Sequence, residues 1–171
     1  MPQELIDLKT SILEGRYDDA LAIVDELEGM SKQAIIRNIE SFLQRLFIQL
    51  IKNQIEQRLT NYWATSISDS IRQIKKLNLK DNKTSYYINA DEWQPYFEEN
   101  LEAAIHPASL EILGGQLKSK QLSAILEKAT LMQFAQKVID LTYTYTAKDL
   151  PAIVDESLAE LPGGEDWLKE E

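Results

Sequence analysis

The sequence predicts an all-α fold, a single-domain helical bundle around one long central helix. Apolar residues recur at three- and four-residue spacing through almost the whole chain, which is the period of a helix face. The best strand candidate, Tyr86 to Ile88, has no second strand to pair with. The 171 residues include no cysteine, which excludes a disulfide framework and a zinc–thiolate site. A chain of this length is long enough to bury an apolar core of its own.

Two short helices are predicted before the central one. The apolar face of the first consists of Leu5, Leu8, Ile12 and Leu13, and that of the second of Tyr17, Leu21, Val24 and Leu27. Gly15 is expected to end the first helix and Gly29 the second, because glycine is the preferred residue just past a helix C-terminus. Both helices are expected to pack around the central helix.

The central helix is predicted at about 31–57, with Ser31 as its N-cap. Two adjacent apolar stripes run along it. One contains Ile35, Ile39, Phe42, Leu46 and Leu50, and the other Ile36, Leu43, Phe47 and Ile51. Two stripes make a wide apolar arc, so this helix is expected to contact more than one neighbour.

A fourth helix is predicted after Thr60 or Asn61, either of which is a suitable N-cap. Its narrower stripe, suited to one partner, consists of Trp63, Ile67, Ile71 and Ile74. Residues 78–89 are rich in Asn, Lys and Ser and predict a loop.

The second half predicts a further group of shorter helices. The first starts at Asn89 or Asp91, places Pro95 in its first turn, and is kinked or ended by Pro107. Others are expected before Gly114-Gly115, around 117–126, from an N-cap at Thr130, and at about 150–161. The sequence Pro162-Gly163-Gly164 stops the last one, and an acidic tail follows, in which Trp167 is a candidate for docking.

Charge is distributed unevenly along the chain, whose formal net charge is -10. Residues 1–30 contain 8 acidic and 2 basic side chains, whereas residues 31–83 contain 4 acidic and 10 basic ones. The favoured interpretation is that the acidic flanks neutralise the basic middle within the molecule. The alternative is a basic surface for an anionic partner, which the overall acidity opposes at long range.

The sequence contains little that indicates a reaction. One histidine and no cysteine exclude a Cys-His pair, a multi-histidine zinc site and a di-iron site with two Glu-x-x-His motifs. Gly114-Gly115 lacks the lysine and the preceding strand of a phosphate loop. We therefore assign no residue to catalysis, to a cofactor or to a metal. His106, at a predicted helix end, is explained equally well as a general base or as a cation favoured by the helix dipole.

No run of about 20 apolar residues is present, and the N-terminus lacks the pattern of a signal peptide. The expected location is therefore the cytoplasm, without membrane insertion. The candidate interaction surface lies along the central helix and the start of the next, at Arg37, Arg45, Lys52, Arg58 and Trp63. Trp63 also begins an apolar stripe, which favours burial in the core over stacking on a base.

The block from Asp25 to Ile74 resembles a bacterial, mainly cyanobacterial, family called domain of unknown function 29. The resemblance is carried by three stretches in this sequence: Glu26-Leu27-Glu28-Gly29-Met30, Leu46 through Gln54, and Arg58 with Tyr62-Trp63 and Ser66 through Ile74. The family often has histidine where Gln49 stands and serine where Tyr62 stands. The resemblance implies an all-helical fold, no established function, and the loss here of any activity that depends on that histidine.

The predicted organisation is one helical domain at 1–162, with a family-like core at 1–113, a C-terminal helical extension at 114–162, and an acidic tail at 163–171. The predicted function is a non-enzymatic protein-interaction or scaffold module that binds a protein partner or itself. One alternative is a nucleic-acid-associated protein that uses the basic segment 37–83. A second is an enzyme that uses Glu98, Glu102 or Glu111 with His106, if these side chains converge.

Overall fold

The computed structural model describes residues 2–169 and is almost entirely helical. Its helices are α1 (Gln3–Leu13), α2 (Tyr17–Glu56), α3 (Asn61–Asn78), α4 (Gln94–Glu111), α5 (Ser119–Ile125), α6 (Lys128–Thr144), α7 (Leu150–Leu158) and α8 (Gly164–Lys169), with a 3-10 turn at Ile112–Gly115. The β structure in this range is an isolated bridge between Leu79 and Tyr86. The all-α prediction is confirmed. None of the helices in this range is long and apolar enough to cross a membrane.

The chain divides into two compact units, Met1–Arg37 and Asn38–Glu171. The first contains α1 and the beginning of α2, and the second contains the rest of α2 and the later helices. This boundary lies elsewhere than the predicted boundaries after residues 113 and 162. The assignment of residues 1–162 to one domain stays a prediction.

The long helix is present, but it begins at Tyr17 rather than at Ser31. The separate second helix and the N-cap at Ser31 were therefore wrong predictions. Gly29 continues the helix: its φ is not in the left-handed range, and apart from its chain neighbours and the backbone of the helix itself no atom lies within 4 Å of a Cβ added there. A glycine inside a helix costs only about 1 kcal/mol relative to alanine, so its presence does not by itself end one. Asp18 and Asp19 in the first turn also favour the earlier start.

The core of the second unit forms around the predicted stripes of α2. Six of their side chains, Ile39, Leu43, Leu46, Phe47, Leu50 and Ile51, are essentially inaccessible to solvent. The stripe of α3 is buried in the same way, and α3 packs against α6 and α7. From α4, Phe97 meets Phe47 edge-on at 5.9 Å between ring centroids. The wide apolar arc predicted for this part of α2 is therefore confirmed.

Helix boundaries in the second half differ from the predictions at several points. Helix α4 begins at Gln94 rather than at Asn89 or Asp91. Helix α4 continues through Pro107 to Glu111. Proline has no N–H to donate to the carbonyl four residues earlier, which here belongs to the exposed residue Ala103. Helix α6 begins at Lys128, before the predicted cap Thr130. Helix α7 ends at Leu158, short of residue 161. The predicted cap of α3 is confirmed, because the Thr60 side chain accepts the N–H of Trp63 at 3.1 Å.

The segment predicted as an acidic tail contains helix α8, and residues 170–171 lie outside the described range. Trp167 docks as the sequence suggested, since its Nε1 donates to Asn61 Oδ1 at 2.7 Å. The side-chain amide of Asn53 donates to the carbonyls of Arg58 and Pro162, at 3.0 and 2.8 Å. These bonds attach the chain just before α8 to the turn between α2 and α3.

Tyr143 on α6 organises the loop between α3 and α4. Its hydroxyl donates to the Ile88 carbonyl at 2.5 Å and accepts from Trp93 Nε1 at 2.7 Å and from Asn78 Nδ2 at 3.0 Å. Burial raises the pKa of Tyr143 above its ordinary value, because the charged phenolate is disfavoured away from water. The neutral phenol thus connects three parts of the second unit.

Candidate functional site

The predicted interaction surface is divided between the two units. Arg37 belongs to the first unit and is exposed, whereas Arg45, Lys52, Arg58 and Trp63 belong to the second. These four lie where the C-terminal part of α2 meets the beginning of α3.

Lys52, Arg58 and Trp63 form one cluster. Lys52 is only 6% exposed, and its Nζ lies 3.4 Å from Glu111 Oε1 and 5.2 Å from the centre of the Trp63 ring. The guanidinium of Arg58 lies 4.8 Å from the same ring and pairs with Glu56 at 3.0 Å. Trp63 is buried, as its apolar stripe predicted. Cations placed over an indole ring stabilise the fold by roughly 0.5–2 kcal/mol each, so this cluster has a structural explanation.

Arg45 is part of a second polar group at the same helix pair. Its Nε donates to Ser66 Oγ at 3.2 Å, and its Nη1 lies 3.6 Å from Asp69, which also pairs with Arg72 at 2.6 Å. Buried Gln49 donates to the same serine oxygen at 3.4 Å. The basic side chains of this region are therefore engaged with carboxylates and hydroxyls of the same unit. This geometry favours neutralisation within the molecule over a phosphate-binding stripe.

Lys75, another basic residue of the segment 37–83, faces inward. Its Nζ donates to the Thr142 carbonyl at 2.6 Å. Burial lowers the pKa of Lys75, because the charged ammonium is partly removed from water. Another cation of the basic segment is thus engaged in a contact inside the second unit.

The carboxylates considered for catalysis lie at exposed positions of α4 and have separate partners. Glu98 accepts from Gln94, Glu102 pairs with Lys128 at 2.7 Å, and Glu111 pairs with Lys52. His106 is also exposed, with its Nδ1 2.9 Å from Ser119 Oγ. No group of three His, Asp or Glu residues within residues 2–169 is arranged to hold a metal ion. Each of these three carboxylates is thus engaged with a partner of its own.

A different feature is prominent in the first unit: large apolar side chains that face solvent. They form three rows at helical spacing, which we call the N-terminal apolar rows: Leu5 and Ile12, Ile6 and Leu13, and Tyr17 and Leu21. Each of these six side chains is between 42% and 76% exposed. In contrast, Leu8, Val24 and Leu27 of the same two helices are half-buried.

The rows were missed because Leu5, Leu8, Ile12 and Leu13 were expected to form one face packed against the central helix. A signal in the sequence could have revealed them. At 100° per residue, the five apolar side chains of α1 spread over an arc of about 160°. A helix that packs against one neighbour needs a stripe of only about 100°. Because the apolar arc of α1 is wider than one neighbour can cover, some of its apolar side chains are expected to stay uncovered in the hairpin of α1 and α2.

The electrostatics of this region are acidic. Residues 1–30 hold 8 acidic and 2 basic side chains. One of those two, Arg16, pairs with Glu14 at 2.7 Å and with Asp19 at 3.1 Å. The hydrogen bonds that Arg16 donates to Glu14 and then to Asp19 raise the pKa of Arg16, so its charge is retained and internally compensated. The segment that carries the apolar rows therefore has a net negative charge.

The fold and these surfaces define an all-helical protein with exposed apolar rows and an acidic first unit. Comparison of the chain with protein-family models, curated proteins and solved structures gives no match.

Proposed function

We propose that this protein is a non-enzymatic protein-interaction module that binds its partner through the N-terminal apolar rows. One observation carries the proposal. Of the twelve large hydrophobic side chains that are exposed among residues 2–169, seven lie between residues 5 and 30. Concentrated exposure of this kind is typical of a protein-binding surface, whereas single exposed apolar residues are ordinary.

Burial of such a surface supplies a large part of the free energy that specific binding requires. Complete burial of a leucine or isoleucine side chain is worth about 1.5–3 kcal/mol. The six side chains of the rows are already partly buried, so each offers about 1 kcal/mol. Their sum supports micromolar affinity only if polar contacts contribute as well, because association itself has an entropic cost. The rows thus fit an interaction in which charge also takes part.

The predicted surface at Arg45, Lys52, Arg58 and Trp63 supports the proposal less well, because those side chains contact one another or nearby carboxylates. Membership of the domain of unknown function 29 family stays a prediction and adds no function. Nucleic-acid binding is not favoured by any contact described above.

The test uses the double variant Leu13→Gln/Leu21→Gln with Leu110→Gln as the matched control. Leu110 is 65% exposed, close to the 76% of Leu13 and the 61% of Leu21, but lies in the second unit. Each tagged full-length chain is used to enrich proteins from the cells that produce it, with quantitative mass spectrometry. We expect partners that are retained by wild type and Leu110→Gln and lost by the double variant.

The proposal is refuted if no protein depends on the rows and the wild-type chain is also monomeric. Circular dichroism of the double variant checks that the helices are intact. Because the replaced side chains are exposed, the helical signal should equal that of wild type.

A further inference from the structure

The acidic character of the first unit identifies the class of partner that the rows fit. Residues 1–30 contain 8 carboxylates, and Arg16 is compensated by two of them. Asp25 and Glu28 follow Leu21 by four and seven positions, so on α2 they lie near the same side of the helix. Negative charge therefore borders the exposed apolar side chains.

This charge disfavours a second copy as the occupant. Two first units brought face to face would place like charges around a shared apolar contact, and like-charge juxtaposition opposes association. It also disfavours an anionic membrane surface, which would repel the same carboxylates. A partner that carries positive charge around an apolar centre has the complementary pattern.

The spacing of the rows indicates the shape of the partner. The pairs Leu5/Ile12 and Ile6/Leu13 repeat at seven positions, and Tyr17/Leu21 at four. Residues four or seven positions apart lie on one side of a helix, so each pair marks a line along which the apolar face of another helix can pack. Helices that bind in this way present apolar residues at i, i+3, i+4 and i+7.

We infer that the N-terminal apolar rows bind a basic amphipathic helix of another protein, with leucine-like residues on one face and lysine or arginine beside them. This inference rests on the proposed function and specifies the partner of the same surface. The apolar rows supply contact area, and the carboxylates of residues 1–30 select a cationic helix over an anionic one.

The experiment uses synthetic helical peptides as probes. One peptide of about 18 residues has leucines at i, i+3, i+4 and i+7 and lysines elsewhere, and its twin carries glutamates in place of the lysines. A third has the lysine composition in scrambled order, without an apolar face. Fluorescence anisotropy measures binding to the full chain at about 50 mM and about 200 mM salt.

We expect the lysine peptide to bind at least about tenfold more tightly than its glutamate twin and its scrambled form, and to weaken as salt rises. Leu13→Gln/Leu21→Gln should weaken it by at least about tenfold, whereas Leu110→Gln should not change it. The variant Asp25→Asn/Glu28→Gln should weaken the lysine peptide and leave the apolar rows unchanged.

Three results would overturn the inference: equal binding of the lysine and scrambled peptides, lysine-peptide binding that is insensitive to Leu13→Gln/Leu21→Gln, or no binding of the lysine peptide. Equal binding of the lysine and glutamate peptides, both lost in that double variant, would refute the basic partner but leave the interaction function intact. A dimer of the full chain that the double variant abolishes, seen by sedimentation, would replace the basic helix with a second copy. The enrichment experiment above tests the proposed function without these peptides. A failure of the proposed function can therefore be distinguished from a failure of the inference about a basic helix.

Discussion

Replacing Tyr143 by phenylalanine removes a single oxygen atom on which three groups converge. The hydroxyl donates to the Ile88 carbonyl and accepts from Trp93 Nε1 and Asn78 Nδ2. The ring itself stays, with its edge-on contact to Tyr86 at 4.7 Å. The substitution therefore tests the hydrogen bonds with little change in packing.

The expected loss of stability follows from the hydrogen bonds that each former partner of the Tyr143 hydroxyl keeps in the variant. Asn78 still donates to the Ile88 carbonyl at 2.8 Å, so these two groups keep a bond to each other. Trp93 is 0% exposed and loses the acceptor of its indole N–H. A buried donor left without a partner costs about 1–3 kcal/mol, so we expect a loss of about 2 kcal/mol in the free energy of unfolding.

The assay is urea unfolding followed by circular dichroism. With an m value of about 2 kcal/mol/M, the midpoint should fall by about 1 M with an unchanged slope. Tyr62→Phe is the matched control, since Tyr62 is 69% exposed and its variant should stay within about 0.5 kcal/mol of wild type. Equal midpoints for the two variants would show that the Tyr143 hydroxyl does not hold the loop.

Three further predictions use the same unfolding assay. The raised pKa of Tyr143 means that the folded state favours the neutral phenol. The contribution of the hydroxyl to the free energy of unfolding is therefore complete below pH about 10 and is lost as pH rises through the folded-state pKa. A stability advantage of wild type over Tyr143→Phe that does not shrink above pH 10 would contradict this. Gly163→Ala should lower the free energy of unfolding by more than about 2 kcal/mol, because φ of residue 163 is +73° and the new Cβ would lie 2.8 Å from Arg58 Cα. A urea midpoint equal to that of wild type would show that the contact relaxes. Gly29→Ala should raise the free energy of unfolding by about 0.5–1 kcal/mol, because α2 is continuous at residue 29 and the space for a methyl group is open. A loss of stability would instead indicate a helix break at residue 29.

Elements that depend on local signals were predictable from the sequence. The cap at Thr60 needs only a side-chain oxygen three residues before an N–H, and the buried stripe of α3 needs only apolar residues at helical spacing. Both are present as expected. The two apolar stripes of α2 between residues 38 and 56 were identified in the same way, because the periodicity of one helix specifies which side chains share a face.

Helix ends at Gly29 and Pro107 were not predictable from the same signals. A glycine ends a helix when it adopts a positive φ, as Gly15 does at +73°, and continues it otherwise. Nothing in the neighbouring residues specifies which of the two occurs. A proline inside a helix is tolerated where the freed carbonyl reaches solvent, which depends on how the helix packs. Both outcomes are therefore decided by tertiary structure.

The sequence predicted a binding surface of cations, whereas the structure favours the N-terminal apolar rows, and the difference again arises from tertiary structure. Helical spacing puts Arg45 and Lys52, seven positions apart, on one side of α2, but it does not specify what lies opposite that side. Glu111 is 59 positions from Lys52 in sequence and still pairs with it. Conversely, Leu13 and Leu21 have the pattern of core residues, yet the hairpin of α1 and α2 has too few neighbours within the first unit to cover them. A short helical hairpin with a wide apolar arc must leave part of that arc in water until a partner covers it, and this physical requirement favours the rows over the cations as the binding surface.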